Sequence, residues 1–203
     1  MTGASTVYLL DVKSGEPVVG ELVCGIDTSH LLDWHNLWQP ELGAIKAALQ
    51  KQGVPRSEWP QSGHWRWPEK VDEAGLLGFE SFCVTADGMT QAMMRVDTTK
   101  ESRFPESKGK PLVYIDYLEV APWNQPIVGM QRRFKGVGTI LVIAAAALSA
   151  DQEFKGRIGL HALPQSEKFY QNMGMTDFGP DAQVRGALRY FEMTAEVAQA
   201  LIA

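Results

Sequence analysis

At 203 residues, 45% hydrophobic and 21% charged, the chain has an ordinary globular composition and length enough to bury a core of its own. Its net charge of −5 argues against general nucleic-acid binding, which depends on neutralising phosphates with Lys and Arg, and no window approaches the ~18 uninterrupted apolar residues of a membrane span. Two cysteines, Cys24 and Cys83, are too few for a disulfide framework or a four-thiolate zinc site, and Met1 to Tyr8 has neither the basic start nor the apolar run of a signal peptide. The expectation is one cytoplasmic domain spanning 1–203, with no nucleic-acid or membrane partner.

Thr6 to Asp11 and Val18 to Cys24 are apolar-rich runs around the turn composition Lys13-Ser14-Gly15-Glu16-Pro17, which predicts a hairpin. From Asp33 to Gln52 the apolar residues Trp34, Leu37, Trp38, Leu42, Ile45, Ala48 and Leu49 recur at helical spacing, predicting an amphipathic helix or two short ones broken near Pro40. Pro55 to Pro68, with Trp59, Trp65 and Trp67 among prolines, reads as an irregular loop that packs its indoles. Leu76 to Thr85 and Thr90 to Val96 flank Asp87-Gly88, a strong hairpin signal.

Pro111 to Val120 is rich in aromatic and β-branched residues and reads as a central strand, followed by a long loop, Ala121 to Lys135. Val137 to Asp151 is then helical, Arg157 to Ala162 a short strand, Gln165 to Asn172 a helix stopping near Gly174, Leu188 to Met193 a last strand and Ala195 to Ile202 a terminal helix. This order implies a mixed sheet covered by helices, in the α/β (α+β) class, rather than a bundle or a sandwich.

The most informative stretch is Arg133-Phe134-Lys135-Gly136-Val137-Gly138-Thr139, at a predicted helix start. There the first backbone N–H groups lack intrahelical partners and the macrodipole leaves partial positive charge, so a pyrophosphate can be held by backbone donors. Gly136 and Gly138 permit close approach, and Arg132, Arg133 and Lys135 add three positive charges within four residues. Neither the Gly-Lys-Ser/Thr phosphate loop nor the three-glycine dinucleotide pattern is present.

The stretch resembles the signature of the GNAT superfamily of N-acetyltransferases: Arg or Gln, two residues, Gly, one residue, then Gly or Ala, here Arg133, Gly136 and Gly138. Tyr117-Leu118-Glu119-Val120-Ala121-Pro122 is similar to the strand that precedes it in that family, and Ser166 to Met175, with Phe169-Tyr170 and Gly174, to its later helix. The resemblance covers roughly Leu76 to Met193, and 1–70 is less typical. It implies a mixed, mostly antiparallel central sheet with helices on both faces and splayed central strands, acetyl-CoA as cosubstrate, and an amine acceptor, small molecule or protein. The cofactor-binding set it implies is Leu118, Val120, Arg133, Phe134, Lys135, Gly136, Val137, Gly138, Thr139, Ser166 and Tyr170. Two departures stand out: a long loop between Val120 and Gly136, carrying Trp123, Asn124, Gln125 and Pro126, and Leu163 where many members place an asparagine.

An amine attacking a thioester needs a proton acceptor, an oxyanion donor and a proton donor for the departing thiolate. By the resemblance, Tyr170 is the donor, and the backbone of Leu118 and Val120 holds the pantetheine and thioester. For the base, strand alternation puts Asp116 on one face with Leu118 and Val120, and Glu119 on the other with Tyr117. Glu119, Asp116 and, on the next strand, His161 all stay open as candidates. His30, His35, His64 and His161 are scattered without ligand spacing, so no metal is expected. A non-catalytic acyl-CoA-binding module and an interaction protein built on the tryptophan-rich segment are the alternatives, and a homodimer is left open.

Overall fold

The computed structural model describes residues 3–74 and 77–203. The chain opens with two strands, β1 (Ala4–Asp11) and β2 (Pro17–Cys24), paired antiparallel from Ala4↔Val23 to Leu10↔Pro17. Three helices follow, α1 (Thr28–Asp33), α2 (Gln39–Lys51) and α3 (Trp67–Ala74), then a second hairpin of β3 (Phe79–Ala86) and β4 (Met89–Glu101). Next come β5 (Pro111–Val120), the two-residue β6 (Phe134–Lys135), α4 (Val137–Asp151), β7 (Ile158–Ala162), α5 (Glu167–Asn172), β8 (Thr176–Pro180), β9 (Arg189–Met193) and α6 (Ala195–Ile202). Among the described residues nine strands join in the order β6-β1-β2-β3-β4-β5-β7-β9-β8, a mostly antiparallel open sheet in an α/β protein. The parallel pairing of β5 with β7 runs from Val113↔Ile158 to Ile115↔Leu160, while β5 itself continues to Val120.

Two compact units interleave along the sequence, the first formed by 1–75, 81–94 and 118–141 and the second by 76–80, 95–117 and 142–203. In the first, the helical region starts earlier than its apolar spacing predicts. Asp27 caps α1 by accepting from the N–H groups of Ser29 and His30, while His30 Nδ1 accepts from the Asp27 N–H, a reciprocal cap. Of the two alternatives, a continuous helix and a pair broken near Pro40, the chain adopts the first. Trp34–Trp38 forms a π turn in which the Gln39 N–H reaches back to the Trp34 carbonyl, and this wider turn carries the chain past Pro40, which has no N–H to give. Trp38 is buried with its indole N–H on the Thr90 carbonyl at 3.0 Å, and Asp33 Oδ2 accepts from both the N–H and the hydroxyl of Thr90 at 2.8 Å. Ile45, Leu49 and Ile127 make a further apolar cluster that Val54 and Trp59 cover.

The β3–β4 hairpin turns on Asp87 and Gly88, both at positive φ (51° and 68°), the geometry that matches the twist of the flanking strands. The first residue of the predicted strand, Leu76, lies outside the described residues. Pro55 to Pro68 is not wholly irregular: Arg56–Glu58 is a 3₁₀ turn, and α3 begins at Trp67, with Pro68 in its first turn where a missing N–H costs nothing and Glu69 favouring the positive end of the helix.

The long loop after β5 is ordered by one buried carboxamide. Gln91, fully buried on β4, accepts at Oε1 from Trp123 Nε1 and Asn124 Nδ2, both at 2.9 Å, and donates from Nε2 to the Ala86 carbonyl at 3.1 Å. Asn124 in turn accepts the Phe134 N–H at 2.9 Å, and the Arg133 N–H donates to the Trp123 carbonyl at 2.8 Å. The loop therefore closes on itself just before α4, and β6 joins it to β1 through Leu10↔Lys135 and Asp11↔Phe134.

In the second unit, β7 and β9 pair from Ile158↔Met193 to Ala162↔Arg189, and β8, unpredicted by its sequence, adds an edge strand to β9 with an irregularity between Asp177 and Pro180. Glu192 is fully buried here, accepting from Ser102 Oγ, the Arg103 N–H and the Tyr190 hydroxyl. Satisfied in this way, it is a structural acid.

Gln91→Leu keeps the volume but removes the shared acceptor, leaving two donors without it at a cost of roughly 1–3 kcal/mol each. Urea denaturation should show a loss of about 2 kcal/mol or more; unchanged stability would mean the loop is not held from Gln91.

Candidate active site

The site is built on the last residues of β5, where the alternation of a strand turns Glu119 into the first unit. Glu119 is 7% exposed. Its Oε2 accepts the indole N–H of Trp67 at 2.6 Å, and the buried Ser62 also acts on the carboxyl. Burial pushes its pKa up to about 7, against the opposing pull of Ser62, Trp67 and the more distant charge of Lys46. A carboxyl poised near neutrality can accept a proton from a reacting group and release it to water within one cycle.

Asp116, the other acid named on this strand, is taken up in the second unit by an ion pair with the buried Arg95, whose guanidinium also lies over the rings of Phe79 and Tyr117 at 4.9 and 5.0 Å. An acid engaged by an always-charged arginine is a poor base. His161 is likewise committed: its Nδ1 meets the Tyr114 hydroxyl at 2.6 Å and its Nε2 lies 3.1 Å from Asp181 Oδ2, which also accepts from Arg103 at 2.7 Å. Burial lowers the imidazole's pKa, although Asp181 opposes this, and Arg103 holds Asp181 down at about 2.

The glycine turn sits at the start of the 15-residue α4. Gly136 is exposed with φ +88°, nothing lies within 4 Å of where its Cβ would stand, and Gly138 and Thr139 are half-exposed, so the free N–H groups of the first helical turn are open to a ligand. Lys135 and Arg132 are exposed beside it. Arg133 is placed differently from the sequence expectation: its guanidinium pairs with Asp87 at 2.5 Å and stacks over Phe134, and its carbonyl accepts the Val12 N–H. Phe134 and Val137 are buried, so only their backbone can face a ligand. On β5, Leu118 and Val120 are half-buried and the Val120 carbonyl accepts from Gln125 Nε2 at 3.0 Å.

In the second unit Tyr170 is 6% exposed and packed against Phe169 and Phe191, and its carbonyl accepts the N–H groups of Met173 and Met175, both at 3.1 Å. Burial raises its pKa well above the usual phenol value, which keeps it protonated at neutral pH. Ser166 ends a 3₁₀ turn before α5 without capping it. No group of three or more His, Cys, Asp and Glu among the described residues is arranged to hold a metal ion, and no helix among them is long and apolar enough to cross a membrane.

Ser62, Gln91 and Asn124 were not singled out as site residues by their sequence, and Trp67, within His64-Trp65-Arg66-Trp67, reads as lining an acceptor pocket or, more readily, as packing. The only readable signal was the Trp67-Pro68-Glu69 helix start, which places Trp67 on a fixed element.

No protein-family model matches the sequence, and no curated protein matches it. Solved structures do match. The GNAT domain of S. lividans PAT is 14% identical, with 94% of this chain and 96% of that one covered at a TM-score of 0.55. The PaiA N-acetyltransferase of Thermoplasma acidophilum, solved in complex with coenzyme A, is 11% identical over 85% and 98% at 0.52. Mycobacterium smegmatis RimJ, in complex with CoA-disulfide, is 16% identical over 98% and 93% at 0.51. The fold is that of the GNAT N-acetyltransferases.

Glu119 makes stability depend on pH in a direction opposite to that of most carboxylates. Its unfolded value is near 4.5 and its folded value about 7, so between them the folded protein holds a proton the unfolded chain releases. Stability is fully present below the lower value and falls as pH rises through the window, by about 1.4 kcal/mol per pH unit. Compared by urea denaturation at pH 5 and pH 8, the wild type should lose about 2–3 kcal/mol relative to Glu119→Gln; identical pH dependence in both would contradict the burial of a charge.

Proposed function

We propose that the protein is an N-acetyltransferase that moves the acetyl group of acetyl-CoA to a primary amine by direct attack in a ternary complex. The observation that carries this reading is the pairing, within one unit, of a buried near-neutral carboxyl at the end of β5 with an exposed glycine turn at the start of α4. Backbone N–H groups at Gly136 to Thr139, with Lys135 and Arg132, suit the pyrophosphate of coenzyme A, and the fold shared with coenzyme A-bound N-acetyltransferases supports the choice.

In this reading Glu119 takes a proton from the ammonium form of the acceptor. The freed nitrogen lone pair attacks the thioester carbonyl, and backbone donors near Leu118 and Val120 stabilise the oxyanion. Collapse of the tetrahedral intermediate breaks the carbon–sulfur bond, Tyr170, kept neutral by its apolar surroundings, protonates the leaving thiolate, and the second proton of the attacking nitrogen passes to the phenolate so formed. The whole chain acts as one catalytic domain in the cytoplasm, and the acceptor is an amine of a small molecule or a protein.

Because the base must be ionised, activity should rise with pH through a midpoint of about 7. An acetyl-CoA consumption assay over a panel of amines, run from pH 5.5 to 9, should show that limb, and Glu119→Gln should abolish it with a loss of about 10²–10⁴ in kcat. Full activity in Glu119→Gln would remove Glu119 from the mechanism.

A further inference from the structure

The segment between the second and third helices has no role in the mechanism so far, yet it supplies a direct hydrogen-bond partner of Glu119. Trp67 opens α3, is fully buried, and aims its indole N–H at Glu119 Oε2 from 2.6 Å. Ser62, five positions earlier in the same segment, is also buried and favours the ionised form of the same carboxyl. Lys46 of α2 ties the segment down by donating from Nζ to the Gly63 carbonyl at 3.3 Å, and the Trp65 N–H closes a turn on the Ser62 carbonyl at 2.8 Å. The fit is close: a Cβ on Gly63 would stand 2.7 Å from Lys46 Nζ and 3.1 Å from Leu42 Cδ2. Lys46, Ser62 and Trp67 are the charged and polar groups that act on the carboxyl, from α2, the connecting segment and α3 respectively.

An indole N–H can only donate. The oxygen it faces must therefore be an acceptor in both protonation states of the acid; the carbonyl oxygen of a carboxylic acid accepts better than its hydroxyl oxygen, which favours the proton at the other oxygen. A serine hydroxyl can donate to a carboxylate and accept from a carboxylic acid, so Ser62 is able to serve both states. We propose that Trp67 is a positioning residue that fixes the Glu119 side chain by its N–H and directs proton transfer to Oε1, with Ser62 as the reversible second holder. This rests on the reading of Glu119 as the base. The step balances simply: the acceptor's N–H bond breaks, its pair stays on nitrogen, and the proton goes to Oε1. A tryptophan-rich stretch that looks like packing is thereby part of the catalytic apparatus, and its donor matters apart from its bulk.

The test is by NMR on the full chain, with the Glu119 side-chain carboxyl ¹³C signal assigned by its absence in Glu119→Gln. In the wild type, the Trp67 indole N–H signal should shift with pH at the same midpoint as that carboxyl, and should stop titrating in Glu119→Gln. In Trp67→Phe, which keeps an aromatic ring and removes the donor, the carboxyl midpoint should rise by about one pH unit. Its kcat at pH 7 should fall several-fold and recover toward pH 9, with KM for acetyl-CoA unchanged. Ser62→Ala should move the midpoint in the same direction. An indole signal indifferent to the Glu119 titration, or a midpoint unmoved by Trp67→Phe, overturns the proposal, and the first of these needs no variant of Trp67 to fold. Should the titrations couple as expected while Glu119→Gln remains fully active, the hold of Trp67 on Glu119 stands and the reading of Glu119 as the base falls.

Discussion

A carboxyl group taken out of water at the end of β5 is the constraint around which the first unit is arranged. Burying Glu119 disfavours its charged form, and removing its partners would leave a charge that the interior does not tolerate. The chain meets that demand with Trp67 and Ser62, and both depend in turn on the seating of the segment that Lys46 anchors at Gly63. Lys46 of α2 and Trp67 of α3 thus help to hold one acid at the edge of ionisation, the range that the proposed role of a general base requires.

Gln91 imposes a second constraint within the same unit. A single carboxamide, with both its oxygen and its nitrogen used, folds the loop after β5 onto β4, and Asn124 passes that order to the backbone of Phe134. Gly136 follows two residues later, so the conformation of the glycine turn is inherited from a side chain far away in sequence. Arg133, the charged residue of the signature, contributes to it as well, since its pairing with Asp87 fastens the loop to the tip of the β3–β4 hairpin.

Periodicity and turn chemistry made much of the fold legible. β5, α4 and α6 run where apolar and β-branched patterning puts them, because each is long and its pattern is strong. β8 was not readable, since Thr176–Pro180 alternates poorly and is an edge strand held by one neighbour. Whether the helix runs through Pro40 or breaks there was not readable, because proline normally ends a helix and a π turn is a tertiary accommodation that carries little local signal. In the site, the glycine turn could be read from position and residue type, whereas the choice between Glu119 and Asp116 could not. Both are acids on one strand, and what separates them is Trp67 and Ser62 on one side and Arg95 on the other, all contacts between residues more than 20 positions apart.

In the proposed function the turn at the start of α4 receives the pyrophosphate of acetyl-CoA. Calorimetric titration of the purified protein with acetyl-CoA, beside a Gly136→Trp variant that fills the open space at the turn, tests it most directly. The account predicts saturable binding by the parent with one site per chain, lost in a variant that remains folded. A well-folded parent that does not bind acetyl-CoA, or a variant that binds it equally well, would contradict the account.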